Sequence, residues 1–244
     1  LIHFKDAIVT DFPNYYAIAK EGSHVSANDF IKFCEEAGIS YAEEYPNARF
    51  LDPTKLQASF RVNEPVFDFF VLREIVQKRL EKSTVKLKLG AHCANVQKTS
   101  SGKHFDVDID YNSYGLKKHV FDFVVNASYA GLNEINECLG VKQLDLLFED
   151  VVIPVIRQEE TFPIGLTVMD GEFCTIMPRG YRAKYSEALL YHVKHSVLER
   201  SKDVSSFAKQ ALTDKQRFQI RNACAEFMPF LKDAVFIDEY RTIS

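Results

Sequence analysis

Apolar residues three and four positions apart predict three helices in this chain. The first begins after Ser26 and ends at Gly38, which are residue types that cap the two ends of a helix. The second runs over 68–82 with Asp68 as its cap. The third begins at Thr213, which has capping-box spacing with Gln216. The predicted apolar faces are Phe30, Phe33 and Cys34; Val71, Leu72, Ile75, Val76 and Leu80; and Phe218, Ile220, Ala223, Cys224 and Phe227.

Alternation of apolar and polar residues predicts two groups of strands. The helix over 68–82 lies between two strands of the first group, as in a parallel β–α–β unit, and a three-stranded antiparallel meander follows. The second group has longer strands and charged turns, which indicates a mostly antiparallel sheet. The first group covers 14–19, 59–62, 85–89, 92–98, 104–110, 116–120 and 121–126, and the second covers 148–157, 165–169, 173–177, 188–193 and 234–237.

The strand over 121–126 ends in residues with almost no side-chain bulk. Val124 and Val125 suit a buried strand, and Ala127, Ser128 and Ala130 follow. Small residues at a strand end let another surface approach the backbone, and ligands of open α/β sheets lie outside the carboxyl ends of strands. The segment therefore predicts a ligand at the tip of this strand, or else a core strand followed by a plain turn.

Composition excludes several classes of function. The 244 residues carry a formal net charge of −4, which argues against a nucleic-acid partner. The five cysteines include no CxxC pair, so we expect reduced thiols in a cytoplasmic protein. His192 and His195 lie in an alternating run and should face opposite sides, so no metal site is expected. No signal peptide and no membrane span are predicted.

The order of elements resembles the FAD-binding domain of the flavoprotein oxidoreductases of the D-amino-acid oxidase group. In that family a meander interrupts a parallel sheet, and the chain re-enters the sheet with a strand that ends in A-[TSA]-G beside the flavin. Here that motif reads Asn126-Ala127-Ser128-Tyr129, with Tyr129 where the family has glycine. The segments 61–68 and 167–180 resemble the family's lead into the crossover helix and its substrate-domain hairpin.

The resemblance implies a set of site residues. The candidates for FAD binding are Cys93, Asn126, Ala127, Ser128 and Arg241. Cys93 matches a backbone contact on the adenine side, and Arg241 matches an arginine near the flavin or substrate. The candidates for binding a small-molecule substrate are Tyr16, Met169 and Arg179. No catalytic residue is assigned, because hydride transfer to a flavin needs mainly an anchored substrate and a dry pocket.

The GxGxxG turn that cradles the pyrophosphate of a dinucleotide is absent from these 244 residues. None of the ten glycines are two positions apart. The first residue is Leu1 rather than Met, and the last follows an apolar stretch. We therefore expect an internal fragment of a longer flavoprotein, one that binds FAD poorly or not at all by itself.

The predicted fold class is α+β with α/β character, namely an incomplete Rossmann-like FAD-binding domain interleaved with a mostly antiparallel substrate-domain sheet. The expected substrate-domain parts are 1–62 and 146–233, and the expected FAD-domain parts are 63–145 and 234–244. The implied activity is oxidation of an amine, an amino acid or a 2-hydroxy acid. A binding or scaffold protein that keeps the fold without the cofactor is the alternative. An NAD-linked dehydrogenase accounts less well for the meander and the second sheet.

Overall fold

A computed structural model describes residues 2–157, 163–180, 187–207 and 210–244. The chain divides into two compact units. The first contains residues 1–79, 149–200 and 208–242, and the second contains 80–148, 201–207 and 243–244. The assignment of these units to substrate and FAD domains stays a prediction.

The chain forms fourteen strands and four α-helices within the described residues. The strands are β1 (Ile8–Val9), β2 (Asn14–Ala19), β3 (Tyr41–Glu43), β4 (Leu56–Val62), β5 (Val66–Phe67), β6 (His92–Lys98), β7 (Phe105–Asp110), β8 (Leu116–Phe121), β9 (Phe148–Arg157), β10 (Gly165–Met169), β11 (Cys174–Pro178), β12 (Glu187–His192), β13 (Val197–Ser201) and β14 (Phe236–Ile243). The helices are α1 (Ala27–Ala37), α2 (Phe69–Glu81), α3 (Leu132–Cys138) and α4 (Asp214–Ala225).

The first unit is built on a nine-stranded sheet in the order β13-β9-β12-β11-β10-β2-β4-β3, with β14 also paired to β9. β2 and β10 run parallel, whereas the hairpin pairs β10–β11 and β11–β12 are antiparallel. The mixed, mostly antiparallel sheet that the sequence predicted is therefore confirmed. Strands β1 and β5 form a separate two-stranded pair.

Helix α4 covers one face of this sheet. Thr213 and Gln216 form the predicted capping box, in which each side chain accepts a hydrogen bond from the other residue's backbone N–H. Ile220 and Cys224 then reach the main core of the unit. That core takes every second residue of the central strands, including Tyr15, Ala17, Leu166, Val168, Ile176 and Leu190.

Helix α1 packs on β2 and β4 through a smaller core of Ile18, Phe30, Cys34 and Phe60. Its predicted caps are confirmed, since Ser26 and Asp29 form a capping box and Gly38 is left-handed at φ 66°. The predicted apolar face is wrong at one position. Phe33 is 57% exposed, because the α1 core is filled by Phe30 and Cys34 one turn apart and Phe33 lies beside that stripe.

The second unit holds the predicted meander, β6-β7-β8, and helix α3. Its buried cluster consists of only Val96, Val107 and Ile135, with Val124, Cys93 and Cys138 among the side chains packed around it. More than half of the large apolar side chains that are exposed in the described part of the chain belong to this unit. A core of this size leaves most of the unit's apolar surface in water.

Two predicted strands of the second unit do not form. Residues 85–89 and 122–126 form no strand and pair with no strand among the described residues, and β8 ends at Phe121. Val85, Leu87, Leu89, Phe123 and Val125 are exposed, the last two at 87%. A strand needs a hydrogen-bonded neighbour, and the local apolar pattern cannot supply one.

The predicted buried stripe of α2 is also wrong. Asp68 caps the helix as expected, because its carboxylate accepts hydrogen bonds from the Phe70 and Val71 N–H groups at 3.0 and 3.2 Å. None of the helix's residues is buried, however, and Val76 is exposed. The apolar face of α2 is only partly covered by described residues, since Val71, Leu72 and Ile75 are half-buried.

Strand β12 ends at His192, one residue before the predicted end, and this changes the relative orientation of His192 and His195. The chain turns after His192, so the His195 ring lies beside the His192 ring, with centroids 4.7 Å apart and the ring planes tilted by 46°. The expectation that the two rings face opposite sides is wrong, because a turn rather than a strand connects them. Within the described residues, no group of three or more metal-binding side chains occurs.

All five cysteines are free thiols, three of them buried and two half-buried. No helix in the described part of the chain is long and apolar enough to cross a membrane.

Candidate functional site

The face of the main sheet opposite α4 carries a row of hydroxyl groups. Tyr16 pairs with Thr167, Thr167 with Thr175, and Thr175 with Tyr191, so the four residues lie side by side on β2, β10, β11 and β12. All four are half-buried, whereas their sequence neighbours are buried on the other face. With strands about 4.8 Å apart, the row is roughly 14 Å long. We call it the hydroxyl row.

Tyr16 joins the hydroxyl row to an acidic residue. Its hydroxyl donates a hydrogen bond of 2.5 Å to Glu64 Oε2, and its ring stacks on Phe30. Burial and the bond to Glu64 raise the pKa of Tyr16, so the phenol stays protonated. The Asn14 amide, one position further along the same face, donates a long bond of 3.5 Å to the same carboxylate oxygen.

Asn14 is held close to the backbone of β10. The residue is only 1% exposed, and its Oδ1 accepts no hydrogen bond from the described residues. A side chain at Gly165 would clash with it, because a Cβ there would lie 2.5 Å from Asn14 Oδ1. Glycine at position 165 therefore lets the buried amide sit between β2 and β10.

Tyr15 points to the opposite face, as the alternation of a strand requires. It belongs to the α4 core, and its hydroxyl donates to Glu44 Oε1 at 2.8 Å. Burial and Glu44 raise its pKa to about 12. The two adjacent tyrosines thus form two separate Tyr–Glu pairs, only one of which lies on the face of the hydroxyl row.

Met169 and Arg179 lie on the same side of the sheet as Tyr16 but have different surroundings. Met169 follows Thr167 on β10 and packs beside the α1 core. Arg179 follows β11 and donates to Glu187 at 2.5 Å and to the Tyr240 hydroxyl. Its guanidinium also lies over the rings of Phe70 and Tyr240, at 5.2 and 4.8 Å.

Arg241 is held in a buried ion pair. It lies on β14, and its guanidinium makes two bonds to Asp150 on β9, one of them 2.6 Å long. It also donates to the Gln210 carbonyl at 2.5 Å. Asp150 is only 2% exposed. Three donors of this arginine are therefore committed to groups of the same unit.

The candidate turn at 126–129 in the second unit is closed by its own side chains. Asn126 Oδ1 accepts from the Ser128 hydroxyl at 2.6 Å, and Asn126 Nδ2 donates to the Leu132 carbonyl at 3.0 Å. Ala127 and Ser128 are exposed. Tyr129, which stands where the related motif has glycine, has a left-handed φ of 54°. The chain thus keeps the backbone conformation that favours glycine while carrying a tyrosine.

Replacing Tyr129 by glycine should stabilise the protein. A left-handed conformation costs a residue with a Cβ about 1–2 kcal/mol, partly offset by the extra freedom of glycine in the unfolded chain, so we expect a gain of up to about 1 kcal/mol. Tyr129 is 70% exposed, so little packing is lost. Tyr114, 79% exposed with an ordinary φ, is the control, and Y114G should destabilise. Equal losses for both variants in urea unfolding would contradict this account.

Cys93, the remaining cofactor candidate, lies on β6 opposite Ile109, next to an irregularity in the pairing with β7. Its thiol is half-buried against the Val96 cluster, and burial raises its pKa. An unreactive thiol suits a residue whose contribution to a ligand would come from the backbone.

The residues present do not make a complete FAD site. The 126–129 turn has a glycine-like backbone at Tyr129 and small, exposed side chains at Ala127 and Ser128, which suits one wall beside a flavin. The pyrophosphate, however, needs a glycine-rich turn at a helix N-terminus, and the 244 residues contain no GxGxxG. No chemical step through a flavin is therefore derived from these residues.

The sequence identified Tyr16 but missed Thr167, Thr175, Tyr191 and Glu64. Each threonine and Tyr191 alternates with buried residues along its strand, which indicates its face. Only the register between strands brings the four hydroxyls into one row, and no local pattern specifies that register.

Comparison with protein families found no family model and no curated protein that matches the chain. Solved structures do match. Glycine oxidase from Geobacillus kaustophilus aligns with 97% of this chain and 59% of its own, at 12% identity and a TM-score of 0.72. L-proline dehydrogenase from P. horikoshii aligns with 99% and 63%, at 11% identity and a TM-score of 0.70.

NikD, an unusual amino acid oxidase essential for nikkomycin biosynthesis, aligns with 100% of this chain and 65% of its own, at 12% identity and a TM-score of 0.74. The chain thus spans about 60% of the length of the solved structures that it matches. At these identities the likeness concerns the fold. The chain shares that fold with the D-amino-acid-oxidase-like flavoproteins, as its sequence predicted.

Proposed function

We propose that the protein is an FAD-dependent oxidoreductase that oxidises a small amine, amino acid or 2-hydroxy acid. The observation that supports this most is that nearly the whole chain follows the fold of solved amino acid oxidases and dehydrogenases. A related match, L-α-glycerophosphate oxidase from Mycoplasma pneumoniae, was solved with FAD bound. FAD supplies a hydride acceptor in such chemistry.

We propose that these 244 residues supply the surface that binds the substrate. The hydroxyl row and Met169 give a half-buried surface on a rigid sheet, with polar groups spaced at strand intervals. Such a surface holds a small polar molecule in one orientation and excludes part of its water shell. Asn126, Ala127 and Ser128 are the groups of the second unit that we propose to lie beside the flavin, and Cys93 is proposed to contact it through its backbone.

The test is a comparison of the 244-residue chain with the product of the complete reading frame that encodes it. We expect the 244 residues to bind FAD more weakly than about 0.1 mM in a fluorescence titration, because nothing in them cradles the pyrophosphate. The complete product should carry a stoichiometric 450 nm absorbance band that a substrate bleaches without oxygen. A complete product with no flavin band would refute the proposal.

A cofactor-free binding or scaffold protein is the second candidate. It is favoured by the absence of GxGxxG and by Tyr129 at a position where the related motif has glycine. A complete reading frame that also lacks a strand–GxGxxG–helix segment would support this second candidate over the first.

A further inference from the structure

The strands that carry the hydroxyl row contain no lysine and no arginine, and their one histidine, His192, lies on the other face. Their sequences are Asn14–Ala19, Gly165–Met169, Cys174–Pro178 and Glu187–His192, without a lysine or an arginine. Arg179, which follows the third of them, is paired with Glu187 and stacked on two aromatic rings. Its Nε has no hydrogen-bond partner among the described residues, but its charge is balanced by Glu187 and Asp238. A substrate on this face therefore meets hydroxyl groups and a guanidinium that is already paired with carboxylates.

Glu64 is the charged group nearest to the hydroxyl row whose partners are neutral. The hydrogen bonds found for its side chain come from the Tyr16 hydroxyl and the Asn14 amide, and both are uncharged donors. Both use Oε2, so Oε1 accepts no hydrogen bond from the part of the chain that the structure describes. The raised pKa of Tyr16 keeps that phenol neutral, so it remains a hydrogen-bond donor to Glu64.

A second acceptor beside it is the Tyr16 oxygen, whereas Asn14 Oδ1 is buried between β2 and β10. Because the Tyr16 O–H donates its hydrogen bond to Glu64, the lone pairs of the Tyr16 oxygen are left as acceptors. The site therefore has an excess of acceptors and of negative charge, which complements a ligand that donates hydrogen bonds and is positively charged.

We propose that this face binds a small amine in its ammonium form, with Glu64 as the group that holds it, and that the substrate bears no carboxylate. The proposal rests on the function proposed above and narrows its substrate class. The Tyr16 ring adds an electron-rich surface for the cation. A carboxylate would instead lie near Glu64 without a cation to balance it, since Arg241 is committed to Asp150 and Gln210.

The three methionines of the chain provide a direct test. Met169 and Met177 lie half-buried on strands of this face, whereas Met228 is fully buried in the α4 core. The protein is labelled with ¹³C in the methionine methyl groups and titrated with isopropylamine, alanine or lactate, without flavin. These ligands share a three-carbon skeleton, and only the first lacks a carboxylate.

We expect isopropylamine to shift the Met169 and Met177 signals saturably and to leave Met228 unchanged, with alanine and lactate at least tenfold weaker. Glu64→Gln should weaken isopropylamine binding at least tenfold. Glu44→Gln, which alters the other Tyr–Glu pair, should have no effect. No binding, binding by alanine or lactate equal to that of isopropylamine, or an unaffected E64Q variant would overturn the proposal.

This result is separable from that of the flavin experiment. The titration measures binding to the 244-residue chain without cofactor, so the absence of a flavin band in the complete product would leave an amine-binding face intact. Conversely, a flavin band that alanine bleaches would uphold the proposed function and refute the narrower substrate class.

Discussion

Asp150→Leu should destabilise the protein by about 3–5 kcal/mol, the typical cost of breaking a buried, hydrogen-bonded ion pair. The Asp150 side chain is 3% exposed, and the Arg241 side chain that it pairs with is 24% exposed. Removing the carboxylate leaves the guanidinium partly desolvated and takes away the two carboxylate oxygens that accept its hydrogen bonds. Urea unfolding monitored by circular dichroism measures the change.

Arg241→Met should lower the free energy of unfolding by a similar amount, because it leaves the almost fully buried Asp150 carboxylate without its cation. The double variant, Asp150→Leu with Arg241→Met, should lose less than either single variant, since a packed apolar pair replaces the charges. The control is Arg200→Met, which removes an exposed ion pair with Glu149 and should cost less than about 1 kcal/mol. Additive losses in the double variant would show that the two residues do not act as a pair.

The ion pair of Arg241 with Asp150 is an example of a contact that the sequence alone did not predict. The resemblance made Arg241 and Arg179 candidates for binding a substrate or flavin, because an arginine at those positions can hold an anion. Nothing local reveals that Asp150 lies 91 positions away in sequence but beside Arg241, or that Glu187 and Tyr240 surround Arg179. The pairing of strands that are distant in sequence determines which arginine donors remain free to bind a ligand.

Local signals predicted most elements well. The caps of α1 and α4 depend on residues three positions apart, and both were confirmed. The strands over 14–19 and 165–169 were predicted with the bounds observed. Alternation along these strands correctly placed Tyr15 and Tyr16 on opposite faces. It could not place Thr167, Thr175 and Tyr191 in one row, because register is a property of the pairing between strands.

Two predicted strands do not form, because no neighbouring strand among the described residues pairs with them. Residues 85–89 and 122–126 have the alternation or the β-branched character of strands, yet they stay unpaired, with Leu89, Phe123 and Val125 more than four-fifths exposed. Burying one such side chain would contribute about 1.5–3 kcal/mol. The pattern therefore encodes a sheet that the described residues do not build.

The second large effect is expected on acidification, through His192. This side chain is 5% exposed at the end of β12, and its Nδ1 accepts from the Lys194 and His195 N–H groups at 3.2 and 3.4 Å. Burial, then the neighbouring His195, lower its pKa to about 4 from an ordinary 6.5, while Glu172 acts in the opposite direction and Lys194 adds to the lowering. The fold therefore holds this imidazole neutral.

A histidine with a lowered pKa favours the folded state at high pH. Between pH 6.5 and pH 4 the unfolded chain binds a proton at this residue and the folded chain does not, so the contribution of His192 to stability is lost as the pH falls through this window. A shift of this size corresponds to about 3 kcal/mol between pH 7.5 and pH 4.

His192→Asn should remove this acid sensitivity. The asparagine Oδ1 can take the place of Nδ1 as acceptor for the two N–H groups of the turn, so the fold is kept while the titrating group is lost. The unfolding free energy of the variant, measured in urea at pH 7.5, 5.5 and 4, should fall less than that of the parent by about 3 kcal/mol over this range. His24→Asn, at an exposed histidine, should follow the parent. If H192N and the parent lose stability in parallel, carboxyl groups rather than His192 govern the acid response of this fold.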